Sequence, residues 1–163
     1  MNSISKQYHL DQNTLVLSLQ RSNKFAIGAM YFFAIVTIAM PIIGTIASIV
    51  TGNGFHIGFI IGILFLGFFG FYLLRVALWN HYGKEILTFT PESISYIADY
   101  GKFKDGLKHI ENKQIHYSFK PIMHQGKKMG TLVIENDNER IESVILIDEQ
   151  QLNEIIIQLK NNK

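Results

Sequence analysis

Two apolar runs dominate this chain. Phe25 to Val50 contains no Asp, Glu, Lys or Arg, and Phe55 to Leu78 contains only Arg75. At 26 and 24 residues, each exceeds the ~20 an α-helix needs to cross ~30 Å of hydrocarbon. Only Thr51-Gly52-Asn53-Gly54 stands between them, which leaves room for a tight antiparallel hairpin and little else. The sequence therefore predicts a two-helix transmembrane hairpin over residues 25–79, preceded by a segment over 1–24 and followed by a soluble domain over 84–163. A cleaved signal peptide fits poorly. The run lies far beyond the roughly 7–15 residues of a signal core, a long polar stretch precedes it, and no small-x-small cleavage site follows.

Charge sets the expected orientation. Lys6, Arg21 and Lys24 precede the first run, the connecting turn has no Lys or Arg, and Arg75 and Lys84 follow near the end of the second. The positive-inside rule then puts both termini in the cytoplasm and the turn outside. Lys far outnumbers Arg, and Ile and Asn are abundant, a bias of AT-rich bacterial genomes. A multi-pass protein of the bacterial inner membrane is the expectation. Tyr72, Trp79 and Tyr82 sit where interfacial aromatics belong, and Arg75 can snorkel to the headgroups. His56 is at the outer mouth and no Asp, Glu or His lies at mid-depth, which argues against a channel or proton-coupled transporter. Pro41 predicts a kink that frees a carbonyl near Thr37.

Gly54, Gly58 and Gly62 recur every four residues at the start of the second run. Such a stripe lets another helix approach closely. One reading seats the first helix there, through Gly44, Ala47 and Ser48; the other seats a second copy as a homodimer.

Beyond Lys84 the periodicity changes. Ile86 to Thr90 reads as a strand ending at Pro91-Glu92, and Ser93 to Ala98 alternates with Ile94, Tyr96 and Ala98 on one face. Asp99-Tyr100-Gly101 turns the chain into Lys102-Phe103-Lys104. Gln114 to Lys120 alternates again, Pro121 to Lys128 reads as a loop, and 131–134 and 141–147 read as strands around an Asn136-Asp137-Asn138 turn. Leu152, Ile155, Ile156 and Leu159 then follow helical spacing, with Asp148 and Gln151 placed as a capping box. Before the first apolar run, Leu15, Leu17 and Leu19 alternate with polar neighbours, and a strand pairing with the C-terminal domain's edge is expected. The fold class predicted is a membrane α-helical hairpin plus a small α+β domain. Its antiparallel sheet or partly open barrel, of about six to seven strands, is closed by a C-terminal amphipathic helix.

This order of elements resembles that of small bacterial two-helix membrane proteins with a C-terminal pleckstrin-homology-like (PH-like) domain. The likeness is carried by Leu87-Thr88-Phe89-Thr90-Pro91-Glu92-Ser93-Ile94 and by Ile110-Glu111-Asn112-Lys113-Gln114-Ile115, and spans about residues 15–160. Lys108-His109-Ile110 stands where a Trp or Arg is usual before the acidic step. The resemblance implies a binding or scaffolding module and brings no catalytic residues with it.

Charge in the soluble part is polarised. Lys102, Lys104, Lys108, Lys113, Lys120, Lys127 and Lys128 face only Asp105 and Glu111 over 101–128, whereas acids outnumber bases from 129 onward. Lys102, Lys104, Lys108, Lys127 and Lys128 are the candidate contacts for anionic lipid headgroups, each Lys near such a surface being worth ~1 kcal/mol, or for a protein partner. A solvated, ligand-free face is the alternative. Nucleic acid is disfavoured because the patch has no Arg and no recognition motif. With no Cys, and with His81, His109, His116 and His124 away from metal-ligand spacing, no metal site or cofactor is expected. His116 should point to solvent. No Gly-x-Ser-x-Gly elbow or phosphate loop is present, so no enzyme is expected. The expected function is a non-enzymatic, membrane-tethered PH-like module that binds a protein partner or anionic lipid. The alternatives are an immunity or inhibitor protein against a membrane-targeted toxin, or an accessory subunit of a larger membrane complex.

Overall fold

The computed structural model describes residues 6–20 and 22–161, so Arg21, one of the orientation charges, lies outside the described residues. The chain divides into two compact units. One is drawn from both flanks, Met1–Gln20 and Tyr82–Lys163; the other is Arg21–His81.

The second unit holds α1 (Lys24–Val50) and α2 (Ile57–Tyr82), both long and apolar enough to cross a membrane by length and composition. Asn23 caps α1 by accepting the Phe25 N–H at 3.0 Å. The helix continues through Pro41, with the Thr37 hydroxyl on the Phe33 carbonyl and the Thr45 hydroxyl on that of Pro41, both at 2.7 Å. Ser22 donates to the Asn80 side-chain oxygen at 3.2 Å, which joins the start of α1 to the end of α2. The helices are in close contact at Gly70. A Cβ there would lie 2.5 Å from Ile38 Cγ1 and 3.1 Å from the Ala34 carbonyl oxygen.

That contact corrects the glycine reading. Gly54 precedes α2, in a turn with φ +77°, and a Cβ on Gly54, Gly58 or Gly62 would meet nothing within 4 Å. α1 does not reach the stripe; it reaches Gly70, eight residues beyond Gly62.

The first unit contains two antiparallel sheets. Sheet A runs in order β1 (Tyr8–Asp11), β2 (Thr14–Ser18), β3 (Lys84–Phe89), β4 (Ser93–Asp99) and β5 (Lys104–Glu111). Sheet B is β6 (His116–His124), β7 (Lys127–Glu135) and β8 (Arg140–Glu142), with β9 (Ile147–Asp148) also paired to β7. α3 (Glu149–Asn161) packs on β6, β7 and β9. β5 and β6 do not pair, so no barrel closes. Leu15 and Leu17 of β2 are fully buried beside Leu87 of β3, and Ile94, Ile134, Ile147, Leu152 and Ile155 complete the core. The N-terminal flank is thus part of the β unit, as a hairpin of two strands.

The strands depart from the expectation in number or extent at three places. β5 was hidden because its residues from Lys104 to His109 are exposed on both faces, so no apolar alternation marks them. Gly106, with φ +70°, also bulges the strand between the Tyr96 and Ala98 registers. The segment read as a loop over 121–128 is mostly strand. Pro121 is tolerated because β6 is an edge strand. Gln125 and Gly126, at φ +50° and +75°, close a two-residue turn of the kind that fits strand twist. Finally, 141–147 is two short strands rather than one.

Candidate functional site

The predicted lysines fall into separate places. Lys104 and Lys108 lie on β5, the outer strand of sheet A, with Lys102 in the turn before it. Lys108 Nζ sits 5.8 Å from the centre of the Tyr96 ring, its cross-strand partner. Lys127 and Lys128 begin β7 in the other sheet and line a groove with Asp148, Glu149 and Glu154 of the α3 N-terminal end. Their charge is locally balanced by acids. Lys113 pairs with Glu111 at 3.1 Å and Lys120 with Glu142 at 3.5 Å, exposed pairs of small energetic weight. The basic surface expected from sequence is thus divided between sheet A (Lys102, Lys104 and Lys108) and sheet B (Lys127 and Lys128). Of the histidines, His116 is exposed opposite the buried Tyr117, as expected, and His109 Nδ1 lies 3.0 Å from the Ser95 hydroxyl.

Sequence reasoning missed the polar cluster that joins the two sheets. Glu85 is fully buried. It accepts the Tyr96 hydroxyl at 2.7 Å, the Val144 N–H at 2.6 Å and the Ile145 N–H at 3.2 Å. Sheet A thereby holds the segment between β8 and β9. Burial pushes the Glu85 carboxyl above the usual carboxylate range, and the three donors and nearby Lys108 only partly counter it. Burial and the Glu85 charge likewise raise the Tyr96 phenol. The signal was present: Glu85 shares the inward face of β3 with Leu87, and a charge at a core-facing register position requires partners.

Gln7 closes the same segment from the other side. Its N–H donates to Gln151 Oε1 at 2.9 Å and its side-chain amide to the Leu146 carbonyl at 3.2 Å. Tyr8 donates its hydroxyl to Glu154 at 3.1 Å. Gln151, expected in a capping box, thus serves as a long-range acceptor, while Asp148 caps α3 by accepting the Gln150 N–H at 3.0 Å. A cavity of about 250 Å³ opens at one end of the unit between Gln12, Asn13, Thr90, Pro91 and Asn112, over Tyr117 and Leu159. It carries no charged side chain. The Glu85 and Gln7 hydrogen bonds hold separate elements of the unit together.

No family model, curated protein or solved structure matches this chain.

Proposed function

We propose that this is a non-enzymatic, membrane-anchored binding module of PH-like type. α1 and α2 form a multi-pass anchor in a bacterial inner membrane. The β unit, on the cytoplasmic side with both termini, docks anionic lipid headgroups or a protein partner through its β5 side. One observation carries the reading. The helical hairpin is inserted between two strands that pair with each other, Ser18 of β2 opposite Lys84 of β3. Flanks paired in one sheet lie on one side of a membrane, so an even number of crossings is required, and two apolar helices of spanning length supply it. The side chains support this: Phe25, Ile57 and Phe68 are 84%, 76% and 77% exposed, a surface that lipid covers at no cost and water does not.

The test is fractionation with a reporter. The protein should stay with membranes through an alkaline carbonate wash, leave them in detergent, and give cytoplasmic activity from a reporter fused after residue 163. Release by carbonate would overturn the anchor; a reporter active only outside would overturn the orientation.

A further inference from the structure

The chain enters and leaves the helical unit through neighbouring strands. Beyond the Ser18–Lys84 pair, the Leu19 N–H donates to the Gly83 carbonyl at 3.1 Å, and α2 ends at Tyr82 while α1 starts at Lys24. Covalent connection therefore keeps one end of sheet A within a few residues of two apolar helices. Register carries that end across the sheet, from Lys84 to Asp99 and from Asp99 to Lys104. The β4–β5 turn projects there.

This turn has an unusual build. The Tyr100 N–H donates to the Phe103 carbonyl at 3.0 Å, and the two rings stack with centroids 4.7 Å apart at 10°. Gly101, at φ +80°, lies so near Tyr82 that a Cβ on it would be 2.7 Å from the Tyr82 Cβ. Lys84, Lys102 and Lys104, at this end of the sheet, are all exposed. The rim also carries two acids: Asp99 accepts from the Gly101 N–H and Asp105 from the Gly106 N–H, each at 2.7 Å.

We propose that this rim is a lipid-contact surface: Lys84, Lys102 and Lys104 engage anionic headgroups while Tyr82, Tyr100 and Phe103 sit at the interfacial level. Rings with an apolar body and lysines on flexible stems are what the membrane–water interface favours. The tether argues for lipid over a protein, because it fixes this end of the sheet near the bilayer without any partner having to arrive. The inference rests on the membrane reading above and narrows the earlier five lysines. Lys108 lies farther along β5, and Lys127 and Lys128 belong to the other sheet.

The experiment uses the full chain in nanodiscs of phosphatidylcholine alone or mixed with phosphatidylglycerol, with backbone hydrogen exchange read over residues 99–104. Exchange over 131–134 in β7 serves as the fold control. The turn should exchange more slowly in anionic discs, and ~1 M salt should remove the difference by screening. Each Lys→Gln change at 84, 102 or 104 should cut the protected-to-open ratio about fivefold at low salt. Phe103→Ser should weaken protection in both lipid compositions. Equal exchange in neutral and anionic discs, or protection that survives the triple Lys→Gln change, would overturn the rim while leaving the anchor standing. A chain that does not enter the discs at all would overturn both.

Discussion

In the β unit, burial alternates along each strand; in the helical unit, few positions are buried at all. Along β4, Ile94, Tyr96 and Ala98 point inward and their neighbours outward. Along α1 and α2 most large residues are exposed, and the few buried positions are Ile27, Ala34, Thr45, Gly70, Ala77 and Leu78. A unit that turns its phenylalanines outward has little core of its own, so its stability comes from its solvent. The β unit makes its own interior and should respond to substitution at nearly every inward position. The helical unit should respond only where the helices touch.

The largest effect expected is on removing residues 1–20. That strips β1 and β2 from sheet A, bares the β3 edge and deletes Leu15 and Leu17, each worth about 2–5 kcal/mol on truncation. Hydrogen exchange should show protection lost throughout 84–161 and kept in α1 and α2. A soluble fragment beginning near residue 84 should not fold on its own for the same reason.

Next comes Glu85→Ala. It leaves a buried hydroxyl and two backbone N–H groups without their acceptor, at a cost of about 3 kcal/mol or more, measurable by thermal unfolding of the β unit. Glu85→Gln keeps an acceptor oxygen and should cost much less. The two forms also differ with pH. Because the folded-state pKa of Glu85 is raised, the folded state binds the proton more tightly than the unfolded chain does. This group's stabilising contribution is full below the unfolded pKa and is lost as pH rises through the folded one. Glu85→Gln should remove that decline and leave the rest of the pH profile in place.

Gly130→Val should cost about 1–3 kcal/mol by overpacking, since a Cβ there would lie 2.6 Å from the Lys120 carbonyl oxygen and 3.0 Å from Leu152 Cδ1. In the helical unit, Gly70→Leu should loosen the pair in detergent, because its Cβ already meets Ile38. Gly62→Leu should change helix-pair stability by less than about 0.5 kcal/mol, as expected for an open site. A cross-linked dimer present in the parent and lost with Gly62→Leu would return the stripe to an interchain role.

How legible each part was follows from the same contrast. The apolar runs announced α1 and α2 because uniform apolarity over more than twenty residues has few other uses in a folded chain. Period-two alternation gave β2, β4 and the start of β6, where one face is buried and the other is not. β5 escaped because neither face of its first six residues is buried, so its place in the sheet comes from backbone pairing that leaves no compositional trace. Which helix, if any, packs on the glycine stripe was not legible, for a related reason. Spacing shows which glycines share a face but not whether a helix reaches it, and α1 contacts Gly70 rather than Gly58 or Gly62. The lysines were legible as charges and not as a patch, since their grouping depends on which sheet each strand joins. Glu85 was legible in principle and passed over, although its register put a carboxylate on the inner face of β3.

The account's central claim is that paired strands bracket a spanning hairpin, and the absence of native cysteine allows it to be tested one residue at a time. Single cysteines at Ser18, Lys84 and Asn53 are exposed in intact cells to a membrane-impermeant thiol reagent, and again after lysis. Asn53→Cys should label from outside, whereas Ser18→Cys and Lys84→Cys should label only once the membrane is broken. Labelling that places positions 18 and 84 on opposite sides, or position 53 on the same side as both, would contradict it.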